Sequence, residues 1–304
     1  MEQARIVVIG GGIIGTSILY HLAKRGLSDA VLLEKSVLTA GSTWHAAANG
    51  NSINATPNIA RLQRRSIEIY ADLEAETGQS LGIHRPGGIF LATNPDRLAE
   101  YRTVVSRGRR LGYGWKIIGP DEIAELHPLT NVDGVLGGLH SDDDGHIDPY
   151  GATQAFAKGA RSRGATIREH CAVRALRQTP DGGWIVSTDA GDIRTEWIVN
   201  AAGLWADEVA AMTGARLPMT RMEHHYLITD DIPEIAARDT ELPLIRDGDS
   251  SFYMRQERKG LLLGVYEDAA TPWALDGVPP DFGQELLPDA LDRLMPNLEQ
   301  AFTR

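Results

Sequence analysis

Near the N-terminus, Gly10-Gly11-Gly12-Ile13-Ile14-Gly15 carries the G-x-G-x-x-G spacing, and its surroundings decide what it means. Arg5 to Ile9 is a short apolar run that ends in the glycines, which suits a buried parallel strand. From Ile13 to Gly26 the pattern becomes helical, and Gly26 is a natural stop. Ala30 to Glu34 reads as a second buried strand. Strand, tight turn, helix and strand in this order form a βαβ unit, whose crossover is right-handed.

Such a unit binds a dinucleotide. Gly10 makes the turn, Gly12 lets a pyrophosphate approach the backbone, and Gly15 permits close helix–strand packing. Ile13 and Ile14 open the helix, whose free N–H groups and positive end favour an anion. Glu34 follows Gly15 by 19 residues and ends the next strand, where a carboxylate accepts hydrogen bonds from a ribose. An acid there also disfavours a 2′-phosphate. The same glycines would serve a tight turn with no ligand, and Glu34 in register weighs against that.

Along the chain, helices are expected at Pro57 to Gly78, after Pro95, from Pro120, over Pro149 to Gly164, and in a final stretch from Pro288. Gly87 to Ala92 reads as a turn entering a strand, and strands are expected at Thr166 to Arg177, Trp184 to Thr188 and Ile193 to Val199, these three joined by tight turns as an antiparallel meander. Met219 to Thr229, Ser251 to Glu257 and Gly260 to Tyr266 are further strand candidates.

Composition narrows the function classes. Net charge is −11 with no basic tract, so a nucleic-acid role has no electrostatic footprint. The single cysteine, Cys171, excludes an internal disulfide and fits a reducing compartment. Ile6 to Leu22 is apolar but interrupted by glycines and short for a membrane span, and no signal-peptide pattern precedes it. A cytoplasmic protein without a membrane role is expected.

The next run is Gly41-Ser42-Thr43-Trp44-His45-Ala46-Ala47. By itself a histidine among small residues is more often structural than chemical. Together with the glycine motif and Glu34-Lys35, however, this run resembles the dimethylglycine and sarcosine dehydrogenases, D-amino-acid-oxidase-like flavoproteins. The resemblance implies FAD as cofactor, joined covalently through the imidazole of His45 to the flavin 8α-methyl carbon. Ser42 and Thr43 would offer hydroxyls and amides to phosphate, and the alanines would let the isoalloxazine approach. The run departs from the family's expected Ala-Ala-Gly by continuing Ala46-Ala47-Ala48-Asn49-Gly50.

The likeness continues at Asp144 to Tyr150, Ile198 to Ala206, Glu223 to Tyr226 and Tyr253 to Arg258. It implies FAD contacts at Val173, Ala202, Gly203 and Trp205, and a substrate pocket lined by His224 and Tyr253. His224 would hold or accept the substrate's ammonium proton, while Tyr253 would bind its carboxylate or orient the base. Arg255 is a further candidate partner for a carboxylate. The acidic stretch Asp142-Asp143-Asp144 with His146 and Asp148 reads as a solvated loop leading into a helix rather than a metal site, since no second nearby histidine completes a ligand set.

The expected architecture is α/β: a discontinuous Rossmann-like FAD-binding domain over 1–80 and 145–215, and a β-sheet-rich substrate domain over 81–144 and 216–304. The chain stops inside the family's flavoprotein region, so a C-terminal truncation is expected, with no folate-binding half. The implied function is oxidative N-demethylation of a small methylated amine, dimethylglycine or sarcosine, giving formaldehyde, with an electron-transfer flavoprotein or oxygen as acceptor. Oxidation of another secondary or tertiary amine is the alternative, as is a non-catalytic flavin-binding fragment or subunit.

Overall fold

The computed structural model describes residues 1–304 and is built on two large sheets. The first has six strands in the order Thr166–Arg168, Ala30–Leu33, Glu2–Ile9, Gly191–Asn200, Trp184–Thr188, Val173–Gln178. Its centre, Glu2–Ile9, is parallel to both neighbours. A central parallel strand must be apolar on both faces, and alternation sends each face to a different core. Ile6 and Val8 join Leu19, Tyr20, Leu32 and Phe156 on one side. Val7 and Ile9 join Val31, Leu33, Cys171 and Val186 on the other.

The Ile13–Lys24 helix and the Pro149–Arg161 helix cover the first of these cores. Gly159 lets them meet, because a Cβ there would stand 2.8 Å from the Tyr20 ring. Full burial of a side chain such as Leu19 or Leu32 contributes about 1.5–3 kcal/mol. No helix is long and apolar enough to cross a membrane.

The second sheet has seven strands in the order Tyr226–Ile228, Gly260–Val265, Phe252–Glu257, Leu244–Asp247, Gly88–Ala92, Gly137–Ser141, Lys116–Ile118. The terminal helix Leu291–Phe302 packs Leu294, Leu298 and Ala301 onto its core beside Ile245, Phe252 and Met254. The expected helices form, and Gly78 caps Pro57–Thr77 in the left-handed conformation.

Two expected strands are broken. The 166–177 segment divides at His170, whose φ is +53°, into Thr166–Arg168 beside Ala30–Leu33 and Val173–Gln178 in the meander. Backbone bonds from His170 and Cys171 to the Ser36 and Glu34 carbonyls hold the break. The 219–229 segment also divides. Arg221–Met222 pairs with Pro272–Trp273, Tyr226–Ile228 pairs with Gly260–Val265, and His224 lies between them.

The acidic stretch is not a uniformly solvated loop either. Asp143 pairs with Arg64, and Asp148 caps the Pro149–Arg161 helix by accepting from the Tyr150 and Gly151 amides. Asp144 is fully buried and accepts from Ser52 through both its amide (2.8 Å) and its hydroxyl (2.5 Å). Burial pushes its carboxyl up to about 6, against these bonds. Over pH 4 to 6 an unfolded chain therefore releases this proton before the folded one does, and stability from this group falls as pH rises. Buried His127 works the other way: burial pushes it down to about 4, so its contribution is lost as pH falls from about 6.5 towards 4. Asp144→Asn should remove the first effect alone. Urea unfolding from pH 4.5 to 7 is expected to show the variant gaining, relative to the parent, about 2 kcal/mol with rising pH. A pH-independent difference would show that Asp144 is not held protonated by the fold.

Candidate active site

The turn between Glu2–Ile9 and Ile13–Lys24 is shaped by contacts that tolerate no side chain. Gly10 has φ +113°, and a Cβ on it would strike the carbonyl of Ala201. A Cβ on Gly15 would enter the carbonyl oxygen of Gly10. Gly12 has only 3.0 Å between a notional Cβ and Thr43 Oγ1, and that same hydroxyl accepts from the Ile13 amide at 3.1 Å. Glu34 closes the turn from the next strand, accepting from the Gly11 amide (2.7 Å) and the Ser36 amide (2.8 Å).

Beside this turn lies a cleft of about 590 Å³, within the usual range for small-molecule sites. Gly10, Gly12, Ile13, Ile14, Glu34, Lys35, Gly41, Ser42, Thr43, Ala46, Val173, Ala202, Gly203 and Trp205 all line it. Four expected residues do not. Gly15 packs beneath Gly10, and the Ala47 carbonyl accepts from Arg255 Nε at 3.3 Å. Trp44 sits edge-on to the His45 ring at 4.9 Å, and His45 itself stands outside the cleft lining.

The lining fits FAD chemically. The Ile13–Lys24 helix points its N-terminus at the cleft, and its cap residue, Gly12, has no side chain to occupy the first-turn amides, of which Thr43 takes only that of Ile13. Trp205 Nε1 is buried without a hydrogen-bond partner and belongs to a cleft-lining residue, so an acceptor is wanted there. Lys35 Nζ lies 3.5 Å from the Trp205 ring centroid and donates to the Pro280 carbonyl at 2.8 Å; burial pushes its pKa down. Glu34 keeps lone pairs for a hydroxyl while engaged by two amides.

At His45, Nδ1 faces the Gly41 carbonyl at 3.0 Å and Nε2 faces the Glu285 carbonyl at 2.6 Å. The ring stacks on Phe282 at 5.8 Å. Val278, Pro280 and Phe282 line the cleft, so the segment that reaches His45 also closes one side. These residues, with Cys171, Arg174, Glu208 and Met212, escaped the sequence reading. Their segments carry no glycine spacing or polar signature; Phe282 after Pro279-Pro280 was the one visible aromatic cue.

His224 and Tyr253 lie apart from this lining and share an aromatic cluster with Tyr266. The His224 ring stacks on Tyr266 at 4.8 Å, and Tyr253 stands 5.7 Å from the same ring. Gly264 makes room for the buried Tyr253 ring across the sheet. Burial pushes Tyr253 up to about 12, so the phenol stays protonated at neutral pH. Packing lowers the His224 pKa and favours its neutral form. Arg255, the expected carboxylate partner, is instead buried and already engaged by Glu257 at 2.7 Å and by Ala47.

Comparison with known proteins places this cleft in a wider group. The model of the FAD dependent oxidoreductase family matches residues 5–304. The chain is 46% identical over 305 residues to the mitochondrial dimethylglycine dehydrogenase of Rattus norvegicus, covering 99% of this chain and 36% of that protein. It is 38% identical over 278 residues to the mitochondrial sarcosine dehydrogenase of Mus musculus, covering 90% of this chain and 30% of the relative. It thus spans about a third of the length of these relatives. Among solved structures, L-proline dehydrogenase from P. horikoshii superposes with a TM-score of 0.84 at 27% identity, covering 99% of this chain and 76% of that one.

Proposed function

The chain belongs to the FAD dependent oxidoreductase family, and on that premise we propose that it oxidises the N-methyl group of a small methylated glycine, dimethylglycine or sarcosine. The observation that carries the proposal is one cleft lined by the glycine turn, Glu34 and the Gly41–Thr43 loop that leads into His45. The named activities of the dimethylglycine and sarcosine dehydrogenase relatives supply the substrate class.

FAD, when bound, supplies the hydride acceptor that turns the N-methyl amine into an iminium, which water hydrolyses to formaldehyde and the demethylated amine. The protein's own work is binding, orientation and proton control. The Gly12 amide and the N-terminal end of the Ile13–Lys24 helix would hold the pyrophosphate, and Glu34, beside the Gly11 amide, would hold the ribose. We assign FAD contacts also to Lys35, Trp205, Val173, Ala202 and Gly203, and a covalent tether to His45. The FAD-binding parts are assigned to 1–80 and 145–215, the substrate-facing parts to 81–144 and 216–304.

A neutral His224 takes the substrate's ammonium proton, because only the free amine can give up a hydride. Tyr253, protonated, donates to the substrate carboxylate. An electron-transfer flavoprotein or oxygen then accepts the electrons, and a cytoplasmic setting belongs to the same proposal, supported by the lone cysteine.

Anaerobic mixing of the flavin-loaded protein with dimethylglycine should bleach the flavin, with much weaker bleaching by unmethylated glycine. His224→Ala should slow that bleaching by about 10²-fold, the usual worth of a positioned base. No bleaching by any amine would overturn the proposal in favour of a non-catalytic flavin protein. Bleaching unaffected by His224→Ala would remove His224 from the mechanism.

A further inference from the structure

Away from the cleft, the fold assembles a group that no stretch of sequence reveals. His84 and His146 face each other across an isolated antiparallel bridge, with the His84 amide donating to the His146 carbonyl (2.9 Å) and the reverse bond at 3.0 Å. Gly145 permits this approach, since a Cβ there would enter the His84 carbonyl. Direct opposition puts both rings on one face, stacked at 4.6 Å and 10°. Glu241, from the segment entering Leu244–Asp247, reaches both: Oε2 lies 2.7 Å from His84 Nδ1 and Oε1 lies 2.5 Å from His146 Nε2.

We propose that His84, His146 and Glu241 form a binding site for a divalent transition-metal ion, Zn²⁺ by preference. Two imidazole nitrogens and a carboxylate are a donor set that zinc accepts, and a fourth position stays open to water. The three donors already lie within 4.8 Å of one another. Bonds of about 2.0–2.1 Å in a tetrahedral site put ligands roughly 3.3 Å apart, so side-chain adjustments of about 1 Å suffice. His84 is half exposed and provides the entry path, while His146 is largely buried and fixes the inner wall. The ion would replace the protons that now join carboxylate and rings.

The consequence is mechanical. His146 pairs with Asn49, and the Ile147 amide donates to the Ala48 carbonyl at 3.2 Å. An ion here would staple the segments of His84, His146 and Glu241 beside Ala48 and Asn49, which follow the run that carries His45.

The test is independent of flavin chemistry. Chelator-treated protein is titrated with Zn²⁺ by calorimetry, and with Co²⁺ by visible absorption. One equivalent should bind and raise Tm, and His146→Ala, Glu241→Gln and His84→Ala should each weaken binding by at least about tenfold. His84→Ala alters an exposed side chain and guards against loss of fold in the other two. No binding of either ion, or binding that survives all three substitutions, would overturn the site.

Discussion

Gly15→Ala is expected to destabilise the protein by about 3 kcal/mol and to abolish flavin uptake, although it adds a single methyl group to a helix where alanine is otherwise preferred. The methyl would enter the Gly10 carbonyl oxygen. Gly10 cannot retreat, because it is held at φ +113° against Ala201, whose amide is bonded to the Ile9 carbonyl at 2.9 Å. Every atom in the conflict is main chain in the central layer, so no rotamer change relieves it. The helix must move out instead, and its N-terminal amides move with it. Urea unfolding measures the first effect, and FAD absorbance co-eluting with the protein measures the second. Gly114→Ala is the control, since a Cβ there meets nothing within 4 Å. Should the two variants behave alike, the packing account of the glycine turn is wrong.

The glycine turn was legible because everything that defines it is local: strand, turn, helix and Glu34 fall in one continuous stretch. Helix ends were legible for the same reason, through Pro57, Pro95, Pro120 and Pro149 at starts and Gly78 at a stop. The failures arise where partners come from far away. Nothing between 166 and 177 announces that Thr166–Arg168 must leave the meander to pair with Ala30–Leu33. Arg221 is a strand residue as expected, but its guanidinium is held by Leu204 and Asp207 and its strand pairs with Pro272–Trp273, whereas Tyr226–Ile228 pairs with Gly260–Val265, so the segment divides around His224. The acidic neighbours of Asp144 make it look solvated in the sequence, whereas in the fold it is fully buried and bonded to Ser52, 92 residues away. His84 and Glu241 lie 62 and 95 residues from His146, so no motif scan joins them. The cleft's second side was invisible for a similar reason: Pro280 and Phe282 reach it from a loop without periodicity.

His45→Ala should yield a protein whose flavin is wholly released by acid precipitation, whereas the parent's precipitate stays yellow and carries the mass of one FAD. The geometry gives the imidazole a defined role in this outcome. A neutral ring has one N–H and one lone pair, yet both nitrogens here face carbonyls. The shorter contact, to the Glu285 carbonyl, calls for a proton on Nε2, while the Gly41 carbonyl of the same turn stands ready to accept from Nδ1 in the other tautomer. Attack through Nε2 requires the ring proton to sit on Nδ1, donated to the Gly41 carbonyl, and the Glu285 carbonyl, on an exposed residue, to give way to the flavin. The bond to the flavin 8α-methyl carbon is therefore expected at Nε2. Loss of the tether should also lower the flavin potential and reduce turnover on the methylated amine by on the order of tenfold, about 1.4 kcal/mol in barrier. Peptide mapping of the parent locates the attachment. Flavin that leaves the parent completely on denaturation, or a modified residue other than His45, would refute the assignment while leaving the nucleotide cleft intact.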